Sequence, residues 1–223
     1  MNEPLTKKYF VCVSGNIGCG KTTVTNLLAE VFKFRKFEEE VEDNPYLALF
    51  YHDMKKWSYR LQRFFLFSRA LTHEKINMFP NSAIQDRSIY EDMDVFAKNQ
   101  LKNNLWTEEE YEKYTIFCSM ILKELEPPDL LVFLHASMPT LRERIKKRGR
   151  AYESQMIQEN DPYLLQLQEL YLDWFKSYKL GPKLMVHTDN LNFVDNPEHI
   201  QKLISGVRNC LVNKDTSLTK YIK

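Results

Sequence analysis

Glycine is scarce. The 223 residues hold six, and three of them, Gly15, Gly18 and Gly20, fall within one six-residue stretch. A chain that avoids glycine elsewhere asks for unusual backbone there. Cysteine is scarce too: Cys12, Cys19, Cys118 and Cys210 show neither metal-ligand spacing nor the density of a disulfide scaffold. This argues against a small stapled extracellular domain and makes a reducing compartment the default. No apolar run approaches the roughly 18 residues that a membrane-spanning helix needs. Met1 to Lys8 lacks the apolar stretch of a signal peptide, so a cytoplasmic location and no membrane partner are expected. An excess of either charge is missing as well. The 31 Lys and Arg are matched by 30 Asp and Glu, which is too even for a chain that grips nucleic acid by electrostatics. With hydrophobic residues at 43% and charged residues at 27%, the composition is that of a folded domain rather than a disordered one. No repeat, low-complexity tract or linker divides the chain, and one domain spanning 1–223 is expected.

What is present alternates between two periods. Tyr9 to Ser14 is apolar and β-prone, and Lys21 to Phe32 repeats at helical spacing. Phe34 to Phe37 reads as a second short strand and Ser82 to Asp86 as a third. Leu130 to Leu134 is continuously apolar, as suits a parallel strand covered on both faces, and Leu184 to His187 is a fifth. Between them lie an aromatic-rich helix from Tyr46 to Met78 and a helix capped by Thr107 with Glu108, Glu109 and Glu110 in its first turn. That helix is stopped by Pro127 and Pro128. A basic helix from Leu141 to Gly149 follows, then one through Leu167, Leu170, Tyr171, Trp174 and Tyr178, and one through Ile200, Leu203, Ile204, Val207 and Leu211. The segment 213–223 is polar and reads as a frayed tail. Strands alternating with helices indicate an α/β fold, here a five-stranded parallel sheet flanked by helices.

The glycine stretch carries chemistry. Gly15-Asn16-Ile17-Gly18-Cys19-Gly20-Lys21-Thr22 matches G-x-x-x-x-G-K-[ST] between a strand and a helix, the setting that the motif requires. Glycines let successive N–H groups converge on an anion, and the following helix adds the positive end of its dipole. Lys21 supplies a point charge for phosphate, and the Thr22 hydroxyl is a hard ligand for Mg²⁺. Thr23 completes the phosphate-binding set. The alternative, a plain glycine turn, does not explain the full eight-residue match. An Asn-Lys-x-Asp guanine reader is lacking, since Asn213-Lys214-Asp215-Thr216 has no final Asp. A motor ATPase would usually be larger, which leaves a compact kinase for a small acceptor.

Three further groups fit one. The acidic run Glu38 to Asp43 follows the second strand, where loops of a doubly wound sheet meet the ligand crevice. A carboxylate there can take a proton from an attacking hydroxyl, although composition alone reads the run as a solvated surface. Asp86 and Arg87 end the third strand, as a Mg²⁺ holder and an acceptor or phosphate contact, or as an ordinary ion pair. From Arg142 to Arg150, six cations occupy nine residues. Guanidinium groups there can stabilise the charge of phosphoryl transfer, and Gly149 permits a lid to bend, whereas a solvated basic face is the plainer reading.

With these motifs in this order, from Tyr9 to Leu211, the sequence resembles the deoxynucleoside kinase family. Among its members the bacterial deoxyadenosine kinases are most similar in the Asn44-Pro45-Tyr46 region. The resemblance implies a P-loop kinase with an Arg-rich lid at about 142–153. It implies ATP and Mg²⁺ as donor and cofactor, a deoxyribonucleoside acceptor phosphorylated at its 5′-hydroxyl in nucleotide salvage, and a homodimer built on long helices. Deoxyadenosine is favoured, with deoxyguanosine and deoxycytidine as the other acceptors considered. The resemblance places the general base at Glu39, flanked by Glu38 and by Glu40, which stands where the family has proline. It places Tyr51 and Glu153 at the sugar 3′-hydroxyl, Gln62 on the base edge, Arg69 with Asp92 beside it, and Phe96 against the ring. Arg144, Arg148 and Arg150 match the lid arginines, and Asn192 and Phe193 the loop over the donor adenine. Two other readings compete. A thymidylate-type monophosphate kinase would carry Arg before the Glu, where Glu38 stands, and adjacent carboxylates would repel a monophosphate. A non-catalytic nucleotide-binding subunit would not need Lys21, Thr22, Glu39, Asp86 and the lid arginines together.

Overall fold

The computed structural model describes residues 7–38, 44–151, 153, 158, 162–213 and 220–222. Among these residues six parallel strands form one sheet in the order β2-β3-β1-β4-β5-β6. They are β1 (Phe10–Gly15), β2 (Arg35–Phe37), β3 (Ala83–Asp86), β4 (Leu130–His135), β5 (Lys183–His187) and β6 (Lys220–Ile222). All five predicted strands are present. The sixth corrects the reading of the polar tail as frayed, because Leu184, Met185 and Val186 of β5 stand in register with Lys220, Tyr221 and Ile222. The polar composition around it hid an inward anchor. Ile222 is buried, and a Cβ on Gly206 would come 2.6 Å from its Cδ1. Burying such a side chain contributes about 1.5–3 kcal/mol.

β1 and β4 are buried almost throughout because helices cover both faces. The apolar runs Phe10 to Val13 and Leu130 to Leu134 follow from that cover. β1 is also where the connections change direction. The strands after it lie first on one side (β3, then β2) and then on the other (β4, β5, β6). Ligand crevices open outside the carboxyl end of a strand at such a point.

The helices that frame this crevice are α1 (Lys21–Phe32), α2 (Leu47–His52) and α3 (Met54–Met78). The predicted helix from Tyr46 to Met78 is therefore two. The chain breaks at Asp53, whose non-helical backbone (φ −145°, ψ 86°) lets its side chain accept the Lys56 N–H at the start of α3. After β3 the chain makes a 3₁₀ turn, Ile89–Glu91, and then a π-helical segment, Asp92–Ala97, before the short α4 (Lys98–Lys102). α5 (Glu108–Lys123) has the predicted Thr107 cap, closed by Glu110 into a reciprocal capping box. α6 (Met138–Arg148), α7 (Pro162–Ser177) and α8 (Pro197–Asn213) are the remaining helices among the described residues. No helix among the described residues is long and apolar enough to cross a membrane.

Candidate active site

The loop between β1 and α1 needs its glycines for two physical reasons. Gly15 sits at φ +140°, and a Cβ on it would lie 2.3 Å from the Leu134 carbonyl of β4. Gly18 sits at φ +83°, and a Cβ there would come within 2.9 Å of both the Leu141 carbonyl and Ile145 Cγ1 of α6. The lid helix thus packs directly on the loop. Lys21 is buried and donates to the carbonyl oxygens of Gly15 and Asn16, each at 3.0 Å. Burial pulls its pKa below the ordinary lysine value, and the Arg87 guanidinium adds to the effect. The Asn16 side chain anchors the loop on α7, donating to Leu164 O and Gln168 Oε1. Ile17, Gly18, Cys19, Gly20, Lys21, Thr22 and Thr23 line a cleft of ≈ 1030 Å³. That is the upper end of the range for ligand sites.

The end of β3 meets this loop. Thr22 Oγ1 donates to Asp86 Oδ2 at 2.6 Å, while Asp86 Oδ1 is buried and has no hydrogen-bond partner among the described residues. A hydroxyl and a carboxylate with a spare buried oxygen form a hard donor set, which fits Mg²⁺. Arg87 follows at φ +68°, a left-handed backbone for a non-glycine residue. Its amide donates to Val13 O at 2.9 Å. Its Nη1 donates to Glu91 Oε1 at 2.7 Å and to the Tyr171 hydroxyl.

At the far end of the cleft α3 presents Gln62, Phe65 and Arg69 at i, i+3 and i+7, all buried on one helix face. The π-helical segment places Asp92 and Phe96 opposite them. Arg69 and Asp92 form an ion pair whose side chains are 5% and 0% exposed. The Phe96 ring lies 5.4 Å from the Arg69 guanidinium and 4.9 Å from that of Arg87. Gln62 Oε1 is buried with no hydrogen-bond partner among the described residues. Tyr51, from α2, lines the same end with Phe50 and Tyr163.

The three lid arginines divide into two groups. Arg144 donates to Cys19 O at 3.2 Å and to Thr188 Oγ1 and O at 2.8 and 2.7 Å, so it braces the phosphate loop against the end of β5. Arg148 grips Glu153 bidentately, with its Nη2 2.7 Å from both carboxylate oxygens, and Arg150 lies 3.7 Å from the same carboxylate. All four residues line the cleft. On its other rim, Asn192 Oδ1 accepts the N–H groups of Val194 and Asp195, and the Asn192 N–H donates to His199. This turn holds Phe193 at the cleft wall. Asp189 fixes the start of α6 by accepting from Ser137 N and Thr140 Oγ1. Burial pushes its pKa up, but these hydrogen bonds outweigh it and hold the carboxyl down at about 2.

Glu39 and Glu40 lie outside the described residues. Glu38 is at the cleft rim, paired with Lys36 Nζ at 2.5 Å. Sequence reasoning did not find Glu91, Tyr171, Ser14 or Gln168, which hold the site residues from behind.

Loop, Asp86 and arginines gather at one end of a single cleft, while the other end is shaped for a flat ring. Such a cleft moves phosphate from one occupant to the other, and fold and site together define a P-loop phosphotransferase with a small acceptor. Residues 11–213 match the family described as "Deoxynucleoside kinase". The chain is 31% identical to the deoxyadenosine/deoxycytidine kinase of Bacillus subtilis over 205 residues, covering 91% of this chain and 93% of that one. It is 34% identical to the deoxyguanosine kinase of Lactobacillus johnsonii, covering 88% and 90%. Among solved structures, deoxyadenosine kinase from M. mycoides with bound dATP superposes with a TM-score of 0.75 at 28% identity, covering 91% of this chain and 98% of that one. The chain belongs to the deoxynucleoside kinase family.

Proposed function

We propose that this deoxynucleoside kinase transfers the terminal phosphoryl group of ATP to the 5′-hydroxyl of a deoxyribonucleoside whose base carries an exocyclic amino group, deoxyadenosine first. The observation that carries the base assignment is the base end of the cleft. Asp92 Oδ2 and Gln62 Oε1 are buried there without hydrogen-bond partners among the described residues, while Asp92 Oδ1 is held by its ion pair to Arg69. An amino group supplies the donor that such acceptors need. A thymine, with a carbonyl in that place, would leave them unsatisfied, at a cost of about 1–3 kcal/mol. Relatives named for deoxyadenosine, deoxycytidine and deoxyguanosine support the same class.

In this reading the phosphates of ATP rest on Gly15 to Thr23, with Asn192 and Phe193 beside the donor base. Thr22 and Asp86 would hold Mg²⁺, which neutralises charge on the phosphates when bound. Glu39 takes the proton of the 5′-hydroxyl, and Arg87, Arg148 and Arg150 meet the transferring group. Arg144 acts by holding the loop. Tyr51 and Glu153 fit the sugar, and Phe96 stacks on the base. The enzyme serves nucleotide salvage in the cytoplasm.

The test offers ATP–Mg²⁺ with each deoxynucleoside and each monophosphate. Deoxyadenosine is expected to give the highest kcat/KM, and Glu39→Ala to lower kcat about 10²-fold or more while ATP binding survives. Preference for thymidine would overturn the base assignment, and near-normal turnover of Glu39→Ala would move the general base to a neighbour.

A homodimer is proposed on the outer face of α3 and α5. Phe67, Leu71 and Met78 share one side of α3, and Ile116, Phe117 and Met120 one side of α5, all exposed, with the Phe67 and Phe117 rings 5.5 Å apart. An apolar patch of this kind suits a second copy of itself. Leu71→Lys is expected to yield a monomer by light scattering. A dimer of unchanged dissociation constant would exclude this face.

A further inference from the structure

Behind the cleft wall lies a carboxylate that the mechanism above does not use. Glu91 is 0% exposed. Its Oε2 accepts from the Ser14 hydroxyl, and its Oε1 accepts from Arg87 Nη1 at 2.7 Å and from the Tyr171 hydroxyl at 2.9 Å. A buried carboxylate is costly unless donors surround it, and these three come from β1, the end of β3 and α7. Tyr171 also contacts Arg87 Nη1 directly. Burial raises the Tyr171 pKa well above the ordinary value, with Arg87 opposing and Glu91 reinforcing the rise. The phenol therefore stays a donor throughout the working range of the enzyme.

Glu91 differs from an ordinary core ion pair in what it holds. Arg87 stands in the wall of the cleft beside Asp86, on left-handed backbone, with its amide tied to Val13 O and its guanidinium against Phe96. Both ends of the residue are thus fixed. Glu91 and Asp92 are adjacent, and each takes one arginine of the same cleft, Arg87 on the phosphate side and Arg69 on the base side.

We infer that Glu91, with Tyr171 and Ser14, is a positioning residue for phosphoryl transfer: the buried triad aims the Arg87 guanidinium at the transferring group. This rests on the reading of Arg87 given above. A group displaced by about 1 Å from its working position can cost on the order of 10²-fold in rate.

The experiment is a double-mutant cycle between Glu91 and Arg87, read as kcat and KM with saturating ATP–Mg²⁺ and with thermal unfolding beside it. Glu91→Gln keeps the shape and removes the charge that orients Arg87. It is expected to lower kcat about 10- to 100-fold while KM for ATP stays within about 2-fold. In the Arg87→Ala background the same change is expected to remove less than about 2-fold more, because residues acting through one group are not additive. Equal losses in both backgrounds would overturn the inference and leave Glu91 a fold residue only. A normal kcat in Arg87→Ala alone would instead bring down the reading of Arg87, and the two failures are thereby distinguished. Should Glu91→Gln not fold, Tyr171→Phe carries the test, since it leaves the ion pair and deletes one hydroxyl. A several-fold loss of kcat that disappears in Arg87→Ala supports the triad, and an unchanged kcat overturns it.

Discussion

Lys21→Ala is expected to lower kcat/KM for ATP about 10²- to 10³-fold, the range seen when one preorganised group aimed at developing charge is removed. The reason is local. The ammonium group is held between the Gly15 and Asn16 carbonyls at 3.0 Å, buried inside the loop whose N–H groups must converge on phosphate. Alanine removes the charge and leaves two inward carbonyls without that donor, so phosphate binding and loop geometry suffer together. Lys21→Arg is not a conservative rescue here, because a planar fork does not fit the space of a compact ammonium. Steady-state kinetics with ATP–Mg²⁺ check this, with a thermal melt to show that the variant is folded. A loss of only a few-fold would place the phosphates elsewhere.

Asp92→Ala is expected to reduce stability by about 3–5 kcal/mol, since breaking a buried pair strands the other charge. Arg69 is 5% exposed on its side chain and packs 4.7 Å from the Phe65 ring, so water replaces little of what the carboxylate supplies. At this chain length such a loss corresponds to a fall in Tm of about 6–20 °C. Asp92→Asn keeps the shape and halves the problem. It is expected to fold, and to lose kcat/KM for deoxyadenosine more than for thymidine, because an amide offers one acceptor and one donor where the acid offers two acceptors. Urea unfolding measures the first effect and competition among the four deoxynucleosides the second. Unchanged stability in Asp92→Ala would mean that the pair is solvated in solution.

The parts of this molecule that were legible in its sequence are those whose cause is local. The phosphate loop announces itself because its glycines answer to backbone conformation and close approach, at Gly15 and Gly18 above all. β1 and β4 were legible because burial on both faces leaves them apolar up to their carboxyl ends, Ser14 and His135 excepted. The α5 cap was legible because Thr107 and Glu110 are three residues apart. What escaped is what depends on distant partners. Glu91 reads as one more surface acid until Tyr171, 80 positions away, is brought against it. Arg144 reads as one of three equivalent lid arginines, but its partners are the Cys19 carbonyl, 125 positions back, and Thr188. β6 is three residues in a polar stretch and exists because β5 offers an open edge. Asp53 is an instructive miss, since the local signal was there: a good N-cap residue within an apolar helical pattern can divide one helix into two.

The π-helical segment from Asp92 to Ala97 has a consequence for how this cleft tolerates change. A wide turn holds one residue more than standard winding, and each residue of an α-helix advances about 100° around the axis. Deleting any single position between Asp92 and Phe96 would let the coil relax to ordinary pitch. The aromatic ring, then three residues from the carboxylate on an ordinary helix, would still share its face but stand about 1.5 Å nearer along the axis. Substitutions along this stretch can therefore retune which ring is accepted, whereas shortening it by one residue would change how far the stacking ring stands from the ion pair beside it.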